Sequence, residues 1–205
     1  MSRRLLDFVG AADDGIAGFV RLEVRAAERI AWYWTYLVNV PEVEGVLVVR
    51  DHDVIAPKQG LEIRADGLWA ELTCETSLEH WTFGLEAFGI RLDRADEALR
   101  AGGEIGERIA VGLDIEWEVG AAGPPRGIVH GDVLVGRARH SIDGPGWFYD
   151  DGEPDPGAVV GDVLATVIVP LDDGYLERRL VRNGTGLRWS TEPLRNRGDG
   201  DADRR

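Results

Sequence analysis

The stretch Ile109-Ala-Val-Gly-Leu-Asp-Ile-Glu-Trp-Glu118 alternates apolar residues with small or acidic ones at every step. Successive side chains of an extended strand point to opposite faces. Ile109, Val111, Leu113, Ile115 and Trp117 therefore share a face that calls for burial, while Ala110, Gly112, Asp114, Glu116 and Glu118 share a wet one.

The same period of two recurs along most of the chain. Leu68, Ala70, Leu72 and Cys74 alternate with Trp69, Glu71, Thr73 and Glu75 behind the hairpin signature Asp66-Gly67. Ile16, Gly18, Val20, Leu22 and Val24 oppose Phe19, Arg21, Glu23 and Arg25, the pattern of a half-buried strand. From Ile30 to Val40, Trp32, Trp34, Tyr36 and Val38 lie on one face and Tyr33, Thr35 and Leu37 on the other, so both faces are apolar. Further strands are expected at Val43 to Ile55, Glu79 to Leu92, Ile128 to Ile142, Trp147 to Tyr149, Val159 to Val169, Tyr175 to Val181 and Leu187 to Ser190. In the strand from Glu79 the apolar phase changes at Glu86-Ala-Phe-Gly89, which predicts a bulge between Gly84 and Gly89. Asp93 to Arg100 reads as one short helix, with Asp93 as its N-cap and Gly102-Gly103 as its stop.

Many short antiparallel strands favour closure, because closure removes exposed strand edges. The expected fold is all-β: a lipocalin-like antiparallel β-barrel, or a curved two-sheet sandwich, with one short helix. One domain is expected over residues 1–194, its two halves meeting near residues 120–127, where Pro124-Pro125 interrupts the pattern, with a disordered acidic tail at 195–205.

Composition narrows the function classes. The 205 residues carry a formal net charge of −14, which opposes nucleic acid or an anionic membrane as partner. No stretch approaches the roughly 20 apolar residues of a membrane span. Asp7 interrupts the N-terminus before an apolar run of signal-peptide length. Cys74 is the only cysteine, so no internal disulfide or multi-cysteine zinc site can form, and a cytoplasmic location is the simplest. Cys74 itself reads as a small core residue. Zinc motifs, nucleophile elbows, dinucleotide fingerprints and phosphate-binding loops are absent from the sequence, so no cofactor and no metal is assigned.

Three segments, Leu78-Glu-His-Trp-Thr-Phe-Gly-Leu-Glu-Ala-Phe-Gly89, Ala110-Val-Gly-Leu-Asp-Ile-Glu-Trp-Glu118, and His130-Gly-Asp-Val-Leu-Val-Gly136 with Ile142-Asp-Gly-Pro-Gly-Trp147, together resemble bacterial proteins of the carotenoid 1,2-hydratase (hydroxyneurosporene synthase) superfamily. The resemblance covers roughly residues 60 to 150 and implies a lipocalin-like β domain acting on isoprenoid-like molecules. Members usually continue past this turn into an Arg-Asp-His-Ser-Trp-Gly run. Here Trp147 is followed by Phe148-Tyr-Asp-Asp-Gly152, without the histidine and serine, which tilts the implied role from catalysis toward binding.

The leading expectation is thus a barrel cavity that binds an apolar small molecule of isoprenoid, polyketide or fatty-acyl type, lined by Trp32, Trp34, Tyr36, Trp81, Trp117 and His140. Core packing is the competing reading for the tryptophans, and a hydrogen-bonded strand position for the histidines. A hydratase, isomerase or cyclase is the alternative: it needs an acid, a base and a wall that tolerates a cation, for which Glu86, His130 and Asp132 are the catalytic candidates. A structural module that forms a homodimer is a third. Asp51-His52-Asp53 reads as solvated charge in a turn.

Overall fold

The computed structural model describes residues 2–10, 15–93, 106–151, 161–171, 174–184 and 186–193. Among them every regular element is a strand: β1 Ser2–Val9, β2 Ala17–Arg25, β3 Ile30–Val38, β4 Val46–Ile55, β5 Glu62–Ala65, β6 Leu68–Thr76, β7 His80–Leu92, β8 Glu107–Val119, β9 Arg126–Val135, β10 Ala138–Asp150, β11 Asp162–Leu171, β12 Gly174–Asn183 and β13 Gly186–Pro193. No helix among the described residues is long and apolar enough to cross a membrane. The chain divides into two compact units, Met1–Arg94 with Glu104–Glu153, and Ala95–Gly103 with Pro154–Arg205.

The first unit is one antiparallel sheet in the order β4-β3-β2-β1-β10-β9-β8-β7-β6-β5. It closes on itself because β7 is long enough to serve two neighbours along one edge. Residues His80 to Ala87 pair with β6, and Ile90 to Leu92 pair with Val48, Leu47 and Val46 of β4. The β4–β7 pairing completes a ring of β1, β2, β3, β4, β7, β8, β9 and β10, while the β5–β6 hairpin branches off β7. A closed ring satisfies the backbone groups that an open sheet would leave at its edges. β1, which the sequence pattern had not marked as a strand, supplies the last link by pairing with both β2 and β10.

Only one side-chain parity of each strand can face the inside of a ring. On β8 it is the parity of Val111, Leu113, Ile115 and Trp117, as the alternation requires. Trp81, Phe83 and Trp117 gather around Phe148, with ring centroids 4.7, 5.7 and 5.4 Å away. Inward glycines make the room: a Cβ on Gly127 would stand 2.4 Å from the Trp117 indole nitrogen, and one on Gly146 would stand 2.3 Å from a Val129 methyl. Trp117 is 0% and Phe148 4% exposed. A chamber wide enough for an isoprenoid would leave its walls accessible, so the interior is a packed core. Trp81 and Trp117 are part of that core and do not line an open cavity. Tyr33 also lies inside, with the Thr35 hydroxyl donating to its Oη at 2.7 Å, and burial pushes its phenol well above the ordinary tyrosine range.

On β3 the inward parity falls to Ala31, Tyr33 and Leu37, which turns Trp32, Trp34 and Tyr36 outward, against the expectation that they line the interior. Both faces of β2 and β3 are nevertheless buried: Phe19, Trp34 and Tyr36 are 0% exposed. On this outward face Glu23 is held by Arg21 at 3.3 Å, Arg25 at 2.8 Å and Arg3 at 3.5 Å, so the expected half-buried strand is buried along all its length but the partly buried Val24, with its charges paired.

Two other expectations change. β7 runs in unbroken register with β8 from His80↔Glu118 to Arg91↔Glu107, so there is no bulge between Gly84 and Gly89, and Phe88 simply points outward. Cys74 is exposed, beside the register shift of β6 between Cys74 and Thr76. Residues 120–125 form the hairpin turn between β8 and β9, with the Gly120 N–H donating to the Arg126 carbonyl at 2.9 Å; Gly123, at φ 75°, makes the sharp corner that joins these neighbours. Of the expected helix all but Asp93 lies outside the described residues, as does the 195–205 tail.

In the second unit β11, β12 and β13 form an antiparallel meander, irregular between Val163 and Ala165. Val167, Val169, Leu180, Val181 and Trp189 are buried there, and the Arg178 guanidinium lies 5.6 Å from the Trp189 ring centre.

Candidate functional site

The outward parity of β6 to β10 lays side chains in cross-strand rows. Glu86 of β7 stands opposite Gly112 of β8, Gly112 opposite Leu134 of β9, and Leu134 opposite Arg139 of β10. The next rows carry Asp114, Asp132 and Ser141, then Thr82, Glu116, His130 and Asp143. Two kinds of surface follow: an apolar groove at the Glu86 end and a polar strip of carboxylates and imidazoles at the other.

The groove holds about 550 Å³ and opens to the outside. Trp69, Phe88 and Leu134 stand at its sides, small residues such as Gly112 and Ala110 lower its floor, and Glu86 is the titratable group among its described lining residues. Trp69 is fixed in place. Its indole N–H donates to Glu62 Oε1 at 3.0 Å, and its ring lies across Gly84, where a Cβ would come within 2.9 Å of the indole. Those hydrogen bonds, from Trp69 first and Arg64 second, hold the Glu62 carboxyl below its ordinary range. Phe88 is 55% and Leu134 40% exposed, and the Arg108 guanidinium sits 5.0 Å from the Phe88 ring centre. Exposed large apolar side chains grouped in a concave place are a common mark of a ligand site.

The expected catalytic residues all lie on the outer surface, not in the barrel. Glu86 is exposed in the groove. Asp132 accepts hydrogen bonds from the Arg139 guanidinium and, at 3.1 Å, from the Ser141 hydroxyl; the Arg139 contact, first, pulls its carboxyl below the ordinary range. His130 places Nε2 3.5 Å from Glu116 Oε2. The three occupy successive rows and face no common pocket, because each step of two residues along a strand advances a full row. His140 bonds Glu42 of the β3–β4 loop at 2.7 Å.

Trp32 and Trp34 form a separate outward cluster with His52, whose imidazole stacks on Trp32 at 4.8 Å and meets Trp34 edge-on at 5.2 Å. His52 belongs to β4 and is not in a solvated turn. Burial, followed by the nearby Arg50 charge, lowers its pKa to about 4, so it is neutral near pH 7. Arg25 completes the cluster, 3.5 Å over the Trp32 ring.

Trp69, Phe88 and Leu134 were not among the candidates from the sequence. The signal for Trp69 was its place on the same strand face as Glu71 and Glu75, an aromatic among acids. For Phe88 it was the apparent change of phase. The chain matches no protein-family model, no curated protein and no solved structure.

Proposed function

We propose that this protein binds an apolar small molecule, of isoprenoid or polyketide type, in the outer groove between β6 and β9 and not within the barrel. The observation that carries the reading is the groove itself: its volume of about 550 Å³ falls in the 300–1,000 Å³ range usual for ligand sites. It gathers Phe88 and Leu134, which pay a hydration cost in the open, beside an indole held rigid by Glu62. The packed core leaves the outer groove as the better place for a ligand.

Glu86 narrows the chemistry. A carboxylate beside apolar walls accepts a hydrogen bond from a hydroxyl group and repels a fatty-acid carboxylate, so a long-chain isoprenoid alcohol suits the groove better than a free fatty acid. Acid–base catalysis draws less support, since Glu86 has no second titratable partner among the described lining residues.

Displacement of a fluorescent apolar probe by an isoprenoid alcohol, with a fatty acid of equal length as control, tests the proposal. Saturable displacement at one equivalent by the alcohol, and weaker displacement by the acid, is expected. Absence of saturable probe or alcohol binding refutes it, as does binding that survives Phe88→Asp and Leu134→Asp together.

A further inference from the structure

The polar strip beyond the groove contains a second arrangement. The chain has four histidines, and two of them aim Nε2 at a single oxygen, Glu116 Oε2: His80 from β7 at 3.0 Å and His130 from β9 at 3.5 Å. Glu118, two residues along β8, adds a carboxylate, and ligand atoms of His80, Glu116 and Glu118 all lie within 4.8 Å of one another.

We propose that His80, Glu116 and Glu118, joined by His130 through its approach to Glu116 Oε2, bind one divalent transition ion of the zinc class. The argument is geometric first. At metal–ligand distances of about 2.0–2.2 Å, tetrahedral donors stand roughly 3.3–3.6 Å apart; the two imidazoles stand 3.0 and 3.5 Å from Glu116 Oε2, and the His80, Glu116 and Glu118 atoms lie within 4.8 Å of one another, so small side-chain rotations bring the donors onto one ion. The donor chemistry agrees: two imidazole nitrogens with carboxylate oxygen suit zinc, cobalt(II) or nickel(II) better than calcium or magnesium, which prefer oxygen alone.

The scaffold is suited to hold such a set. Glu116 lies on the middle strand of three hydrogen-bonded neighbours, opposite His130 on one side and Thr82 on the other, with His80 next along β7. The sheet, and not a loop, therefore sets the spacing. His80, Glu116 and His130 side chains are 31%, 43% and 44% exposed, open enough for an ion to enter and for water or a ligand to complete its coordination. None of the four residues lines the apolar groove, so this site stands or falls independently of the proposed function.

The test is calorimetric titration of the untagged chain with zinc near neutral pH, paired with cobalt(II) titration followed by visible absorption. One equivalent of zinc should bind, and cobalt should give an intense tetrahedral spectrum without the thiolate band that coordination by exposed Cys74 would add. His80→Ala and His130→Ala should each weaken binding by at least the roughly 10–100-fold that loss of even an outer-shell partner causes. Glu116→Gln, which keeps size and a hydrogen-bond acceptor, should do the same with the circular dichroism unchanged. No stoichiometric binding, a thiolate band, or affinity unaltered in the His80→Ala/His130→Ala double variant would overturn the proposal.

Discussion

Trp117 and Trp69 stand on opposite faces of one sheet, and each lies against a glycine of a neighbouring strand. Inside, the Trp117 indole fills the space that Gly127 and Gly146 leave, and its surroundings close to 0% exposure. Outside, Trp69 lies flat over Gly84, keeps its N–H on Glu62 and leaves its ring as one wall of an open groove. The same pairing of a large and a small residue serves packing on one face and concavity on the other. What separates them is closure: the ring encloses the inner face, while the outer face of β6 to β9 stays accessible.

Truncation should separate the two faces most sharply. Trp117→Ala removes a fully buried indole and is expected to cost about 3–5 kcal/mol of stability by urea denaturation. A loss below about 1 kcal/mol would mean the interior is not close-packed, and would reopen it as a binding chamber. Trp69→Ala should show the reverse pattern: the unfolding midpoint moves little, while affinity for the isoprenoid alcohol falls roughly tenfold, about 1.4 kcal/mol. An equal loss of stability from both variants would erase the contrast.

A pH-dependent effect, absent at neutral pH, concerns the outward Trp32–His52–Trp34 cluster. Because the folded-state pKa of His52 is lowered to about 4 from 6.5, its contribution is fully present above pH 6.5. It drains away as the pH falls, since the unfolded chain takes up a proton that the folded cluster resists. His52→Gln should flatten the stability profile between about pH 6.5 and 4 relative to the parent chain. Parallel profiles would show that His52 is hydrated in the folded protein.

The all-β class and the strand faces of β8 and β6 were legible because alternation against a buried face is strict. Alternation says which residues share a face, but not which face turns inward, and β3 is the case in point. Its two apolar faces were indistinguishable until ring closure gave Tyr33 and Leu37 the inside and Trp34 and Tyr36 the outside. The apparent bulge in β7 arose from treating Phe88 as core, when an exposed aromatic beside the outer groove breaks the pattern for reasons unrelated to the backbone. Glu86 was singled out from the sequence and does line the groove, whereas Trp69 of β6 and Leu134 of β9 join it only through cross-strand register. The His80–Glu116–His130 cluster was invisible for the same reason. Its members are 36 and 14 residues apart along the chain (80 to 116, 116 to 130) and meet only through cross-strand register.

Ring closure also sets an order in time. The link between β1 and β10 joins Arg4 to Asp150, nearly the full length of the first unit, so the first strand of that unit to be synthesised waits for the last before its outer edge is paired. Until then the growing chain can build two meanders by local hairpins, β1 to β4 and β5 to β9, and join them through the β4–β7 pairing, but it carries an unsatisfied edge on β1. A barrel whose first and last strands are partners is thereby committed to finishing its fold only after synthesis of the whole unit.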